Sequence, residues 1–134
     1  MLQSFLKIST LLLCLCIHTL RVSTIGTLSA TCRAGFTINQ DGTALCKDND
    51  DSKVVNYNCP HSRCWCQNNQ WSPFSGCRLK RNKAGPSNQH CAQYDFISGH
   101  TFSCKNPAGI DYICVPSPSD QPPPMACDTC SRQN

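Results

Sequence analysis

A chain of 134 residues with 13 cysteines, 8 acidic residues that are all Asp, and a formal charge of +4 is small, mildly basic and free of Glu. That charge, which falls to +2 once the expected signal is removed, argues against nucleic-acid or membrane-surface binding through bulk electrostatics. Without Glu, a Gly-x-Ser-x-Gly elbow or a His-Glu-x-x-His helix there is no recognisable catalytic frame. The expectation is a non-enzyme with no cofactor.

Residues 1–26 read as a secretory signal peptide. Lys7 closes a short N-terminal region, and Ile8 to Leu20 is apolar apart from Ser9, Thr10, His18 and Thr19. Thr24 and Gly26 then stand two positions apart, the small-residue spacing that a signal peptidase reads. A membrane span needs ~20 apolar residues, more than this run supplies. Cleavage after Gly26 is the first expectation and after Ala30 the second. Loss of Lys7 and Arg21 lowers the formal charge from +4 to +2. Cys14 and Cys16 also go, leaving Cys32, Cys46, Cys59, Cys64, Cys66, Cys77, Cys91, Cys104, Cys114, Cys127 and Cys130. A secreted chain with about one cysteine in ten residues belongs with disulfide scaffolds, so the bridges should carry most of the stability.

Beyond the signal the chain divides into a first cysteine-rich unit, 27–78, a basic linker, 79–89, and a second unit, 90–134. The units look like tandem copies. Cys32, Phe36, Gly42, Cys46, Lys47, Tyr57 and Cys59 align with Cys91, Phe96, Gly99, Cys104, Lys105, Tyr112 and Cys114. Short strands are expected at Val54 to Tyr57, Thr101 to Cys104 and Asp111 to Val115, set off by the polar turns 48–51 and 106–109. No segment beyond the signal has a helical apolar period over ten residues. The expected fold is small, disulfide-rich and mostly β with long loops.

Several residue groups invite a chemical reading. Five bridges among eleven cysteines leave one over, and with self-contained units it falls in the second, near Cys127 and Cys130, where it would be free, bridge to the other unit or dimerise the protein. Cys59, His61, Cys64 and Cys66 are zinc-ligand types within eight residues, although oxidation in the secretory route favours bridges. Cys127-Asp128-Thr129-Cys130 has redox spacing but not a thioredoxin-like context. The run 48–51 opens like a calcium loop, yet Lys53 and Cys59 stand where Gly and Glu belong, so it reads as a solvated turn. His61, His90 and His100 read as loop histidines.

Tyr57, Trp65, Trp71 and Phe74 are glycan-stacking candidates, against the ordinary exposure of aromatics in domains with little core. Lys80-Arg81 is a dibasic pair of the type secretory processing proteases cut, in a linker where nicking is tolerated. The same basic run has the look of a nuclear-import signal, and also of a plain soluble linker. The loop from Pro116 to Met125 is polyproline-like and is the candidate loop for protease inhibition.

Tyr57-Asn58-Cys59 and Tyr112-Ile113-Cys114, with Trp65 between Cys64 and Cys66, are similar to the aromatic-x-Cys motif of fungal candidate effectors. With the signal and the repeated cysteine pattern, the chain resembles the small cysteine-rich secreted proteins of plant-parasitic rust fungi. In mildew effectors the motif lies close behind the signal, whereas here it is well inside the domain. The resemblance implies an extracellular protein at the host interface, with host-cell uptake open. It also implies virulence through binding a host protein or a cell-wall glycan, and it brings no catalytic residue.

Overall fold

The computed structural model describes residues 27–67 and 70–134; the signal peptide expected over residues 1–26 lies outside them. The described chain is mostly β, as expected, with one short 3-10 turn at His61–Arg63. Eleven strands form: β1 (Leu28–Thr31), β2 (Gly35–Ile38), β3 (Thr43–Asp50), β4 (Lys53–Pro60), β5 (Cys64–Cys66) and β6 (Ser72–Leu79) come from the first unit. β7 (Ser87–Cys91), β8 (Gln93–Ser98), β9 (Thr101–Lys105), β10 (Asp111–Cys114) and β11 (Met125–Gln133) follow.

The hairpin turns follow from local chemistry. Between β2 and β3, the Asp41 carboxylate accepts hydrogen bonds from the Thr43 amide at 3.0 Å and hydroxyl at 2.6 Å, and Gly42 takes φ +83°. The β3–β4 turn is only two residues long. Asp51 and Ser52 both have positive φ (42° and 69°), the backbone twist that tight hairpins need. The acidic run therefore lies mainly on the end of β3, not in a four-residue turn.

The strands join in the order β1-β11-β4-β3-β2-β8-β9-β10-β6-β7, with β5 paired to β11 off this path. That order is palindromic once β1 is matched with β7, β2 with β8, β3 with β9, β4 with β10 and β11 with β6. The registers agree: Cys46 faces Tyr57, and Cys104 faces Tyr112. At the centre, Phe36 of β2 faces Tyr94 of β8. Each of these also faces the second cysteine of its own unit, Cys46 and Cys104. Phe36 therefore corresponds in register to Tyr94, and the expected match with Phe96 is two residues out.

The last strand of each unit crosses to the other. β6 ends the first unit but lies beside β10, and β11 ends the second but lies beside β4. Three bridges follow this exchange: Cys77–Cys114, Cys59–Cys130 and Cys64–Cys127. Only Cys32–Cys46 and Cys91–Cys104 stay within a unit. The two units are thus interleaved, not self-contained. Among the described residues the unpaired thiol is Cys66 of the first unit, whereas Cys127 and Cys130 are both bridged. The expected location fails because it assumed that each unit closes its own bridges.

The core is built from sulfur and a few rings. Phe36, Phe74, Tyr94 and Met125 are buried among ten bridged cysteines and Cys66. The Cys32 and Cys127 sulfurs touch at 3.8 Å, so two bridges stack on each other. Bridges replace the aliphatic side chains that a chain this short and polar lacks.

Candidate functional site

A cleft of about 470 Å³ opens where the β8–β9 hairpin meets β6 and the proline-rich loop. Its volume lies in the ~300–1,000 Å³ range of ligand clefts. The floor is aromatic. Strand alternation puts Tyr94 and Phe96 on one face of β8, and pairing sets Phe102 of β9 opposite Phe96. Phe74 arrives from β6. The ring centroids run Tyr94–Phe74 at 5.2 Å, Phe74–Phe102 at 5.3 Å and Phe102–Phe96 at 5.6 Å, all tilted or edge-on. Along this row exposure rises from Phe74 at 3 % to Phe96 at 44 %, so the outer ring meets solvent while the inner ones support it.

Polar groups sit at the rim. Arg33, Asn49, His100 and Gln121 line it, and Pro122 and Pro124 complete the wall. Arg33 is held by Asp48 at 3.2 Å. The wall is pinned from behind, because the Pro123 carbonyl accepts hydrogen bonds from the Ser72 hydroxyl and, at 3.7 Å, from the Cys66 thiol. Next in the chain, the Met125 amide donates to the Tyr94 hydroxyl at 2.9 Å. That hydroxyl donates to the Cys32 carbonyl at 2.6 Å. Burial pushes the Tyr94 pKa well above the ordinary tyrosine value, against the Met125 amide that favours the phenolate. Tyr94 is therefore a neutral structural post under the cleft.

The glycan-stacking candidates separate. Phe74 lies in the cleft floor, but Tyr57 packs against the core from β4. Trp65 is 46 % exposed on β5, and Trp71 is half-buried before β6. Among the described residues the ring pairs join Phe36, His61, Phe74, Tyr94, Phe96 and Phe102, with both tryptophans outside them. Sequence proximity missed the real cluster, which unites residues far apart in the chain. Its one local signal was the alternation Tyr94-x-Phe96 ahead of Phe102.

The zinc set does not assemble as thiols. Cys59 and Cys64 are consumed in bridges, leaving His61 and Cys66 of the four. Among the described residues, the sulfurs of Cys32, Cys46 and Cys127, and those of Cys91, Cys104 and Cys114, come within 4.8 Å of one another. All six are bridged, so these are packed disulfides without thiolate donors. Cys66 is only 7 % exposed, which does not suit an intermolecular bridge without local opening.

Lys80 and Arg81 are exposed between β6 and β7. Of the loop proposed for protease inhibition, only 117–121 is fully exposed; 122–125 is tied into the cleft wall. No described helix is long and apolar enough to cross a membrane.

Compared with known proteins, the chain matches no protein-family model, no curated protein and no solved structure.

Proposed function

We propose that the chain is a secreted, non-catalytic binding protein acting at a host interface, as the resemblance to rust-fungus candidate effectors implies, and that it binds through the aromatic cleft. The observation that carries the reading is a graded row of rings, open at Phe96 and rimmed by Arg33, Asn49, His100 and Gln121. Such a site takes a flat, partly apolar group with hydrogen-bonding edges, such as a side chain of a host protein. Strand exchange and cross-bridges hold the cleft walls before binding, which lowers the entropic cost of association. The matched registers support reading the two units as tandem copies.

The test is a capture experiment. Immobilised protein and its Phe96→Ala variant are exposed to extracellular fluid from a host plant, and retained proteins are compared. A partner held by the first and lost from the second supports the reading. Equal retention by both removes the cleft from the account.

Cell-wall glycan binding is the second reading, favoured by the amide side chains of Asn49 and Gln121 beside an exposed ring. Titration with chitin and β-glucan oligosaccharides decides it. Binding that weakens in Phe96→Ala but not in Trp65→Ala would place a glycan in the cleft.

A further inference from the structure

The segment between β6 and β7 carries more than a dibasic pair. Arg78-Leu79-Lys80-Arg81 places basic side chains at the last, second-last and fourth-last positions before a single peptide bond. Secretory endoproteases of the kexin and furin type read that arrangement, because their acidic subsites accept basic side chains from an extended substrate.

The fold presents the segment in a suitable form. Arg78 and Leu79 are already extended at the end of β6, opposite Ile113 and Tyr112 of β10. The β6–β7 pairing stops at Cys77 and Ser87, so their other edge has no strand partner among the described residues. A protease that binds its substrate as an added strand needs such an edge. Residues 80–88 are exposed, and after Arg81 the chain joins no strand until Ser87. Three bonds restrain the turn: the Lys80 amide donates to the Asp111 carbonyl at 3.1 Å, the Lys83 amide to the Leu79 carbonyl at 3.0 Å, and the Ala84 amide to the Asn82 side-chain oxygen at 3.3 Å.

We propose that Arg78-Leu79-Lys80-Arg81 is a processing site at which a dibasic-specific secretory endoprotease hydrolyses the Arg81–Asn82 bond, converting the protein into a bridged two-chain form. Water adds to the Arg81 carbonyl carbon and the bond to the Asn82 nitrogen breaks. Arg81 is left as a carboxylate and Asn82 as an ammonium group. Cys59–Cys130, Cys64–Cys127 and Cys77–Cys114 all span the cut, so the product stays covalently joined. Strand exchange also keeps β6 on β10 and β11 on β4. The cleft then lies between two chains, with Phe74 on one and Tyr94, Phe96 and Phe102 on the other.

The experiment treats the folded, oxidised protein with a soluble kexin-type protease and follows its mass with and without reduction. The expected result is one species heavier by one water before reduction. After reduction it should give two chains, one ending at Arg81 and one starting at Asn82. Arg81→Gln should abolish the cut and Arg78→Gln should slow it, while circular dichroism of the folded protein stays unchanged in both variants. Resistance of the folded protein, whether or not the reduced chain is cut, overturns the proposal. So does cleavage of the folded protein at another bond. Release of a fragment without reduction would overturn the bridged two-chain product.

Discussion

Tyr94 donates its hydroxyl hydrogen to the backbone carbonyl of Cys32 at 2.6 Å, joining the middle of the second unit to the first bridged cysteine of the other. The same oxygen accepts the Met125 amide, so one phenol fixes three segments under the cleft.

Replacing that phenol should be costly. Tyr94→Phe leaves a buried carbonyl and a buried amide without their partner, which should lower stability by about 2–4 kcal/mol. Denaturant unfolding without reductant measures it.

The same residue sets an alkaline limit. Burial raises the folded-state pKa above the ordinary 10.0, so above pH 10 the unfolded chain loses this proton while the folded chain keeps it. Unfolding then releases a proton, and stability falls as pH rises, by up to ~1.4 kcal/mol per pH unit from this group. Below that range the contribution is fully present. Stability measured from pH 8 to 11 should decline at the upper end in the parent and decline less in Tyr94→Phe.

The two ends of the aromatic row should behave differently. Phe74 is 3 % exposed, and Phe74→Ala should cost about 3–5 kcal/mol as its cavity opens among Tyr94 and Phe102. Phe96 is 44 % exposed, and Phe96→Ala should cost about 1 kcal/mol, mainly its edge contact with Phe102. Equal losses in thermal unfolding would contradict this gradient.

Gly76 and Gly109 separate two costs of a side chain. Both have positive φ, 64° and 81°, but a Cβ at Gly76 would collide with the Val115 carbonyl, whereas at Gly109 it meets open space. Gly109→Ala should lose about 1–2 kcal/mol from backbone strain alone. Gly76→Ala should lose about 2–4 kcal/mol because crowding is added. Paired denaturation curves check the order.

Thiol counting tests the cysteine map. The native protein should react slowly with an alkylating reagent, since Cys66 is buried. In denaturant without reductant one thiol among residues 27–134 should react, and peptide mapping should place the label at Cys66. Labelling at Cys127 or Cys130 would show a different set of bridges.

Three strands of the two meanders were readable from the sequence because their signals are local, while β2, β3 and β8 were not. Val54 to Tyr57, Thr101 to Cys104 and Asp111 to Val115 are β-forming residues next to turn residues, and they fall in β4, β9 and β10, with Val115 one residue past the end of β10. The site was legible only in Phe74. Its companions Tyr94, Phe96 and Phe102 reach it through the β8–β9 pairing and the crossing of β6, of which a short window shows only the alternation Tyr94-x-Phe96. Trp65 and Trp71 were near Phe74 in the chain, yet they lie outside the ring cluster.

By itself the sequence determined a small, cysteine-rich, mostly β protein with bridges in place of a large aliphatic core, because composition and turn chemistry act residue by residue. Tertiary structure decided which cysteines meet. β11 lies on β4 and β6 on β10, so Cys130 reaches Cys59 and Cys114 reaches Cys77. A bridge forms only between sulfurs that the fold has brought within bonding distance, and the bridged cysteines lie up to 71 positions apart in the chain.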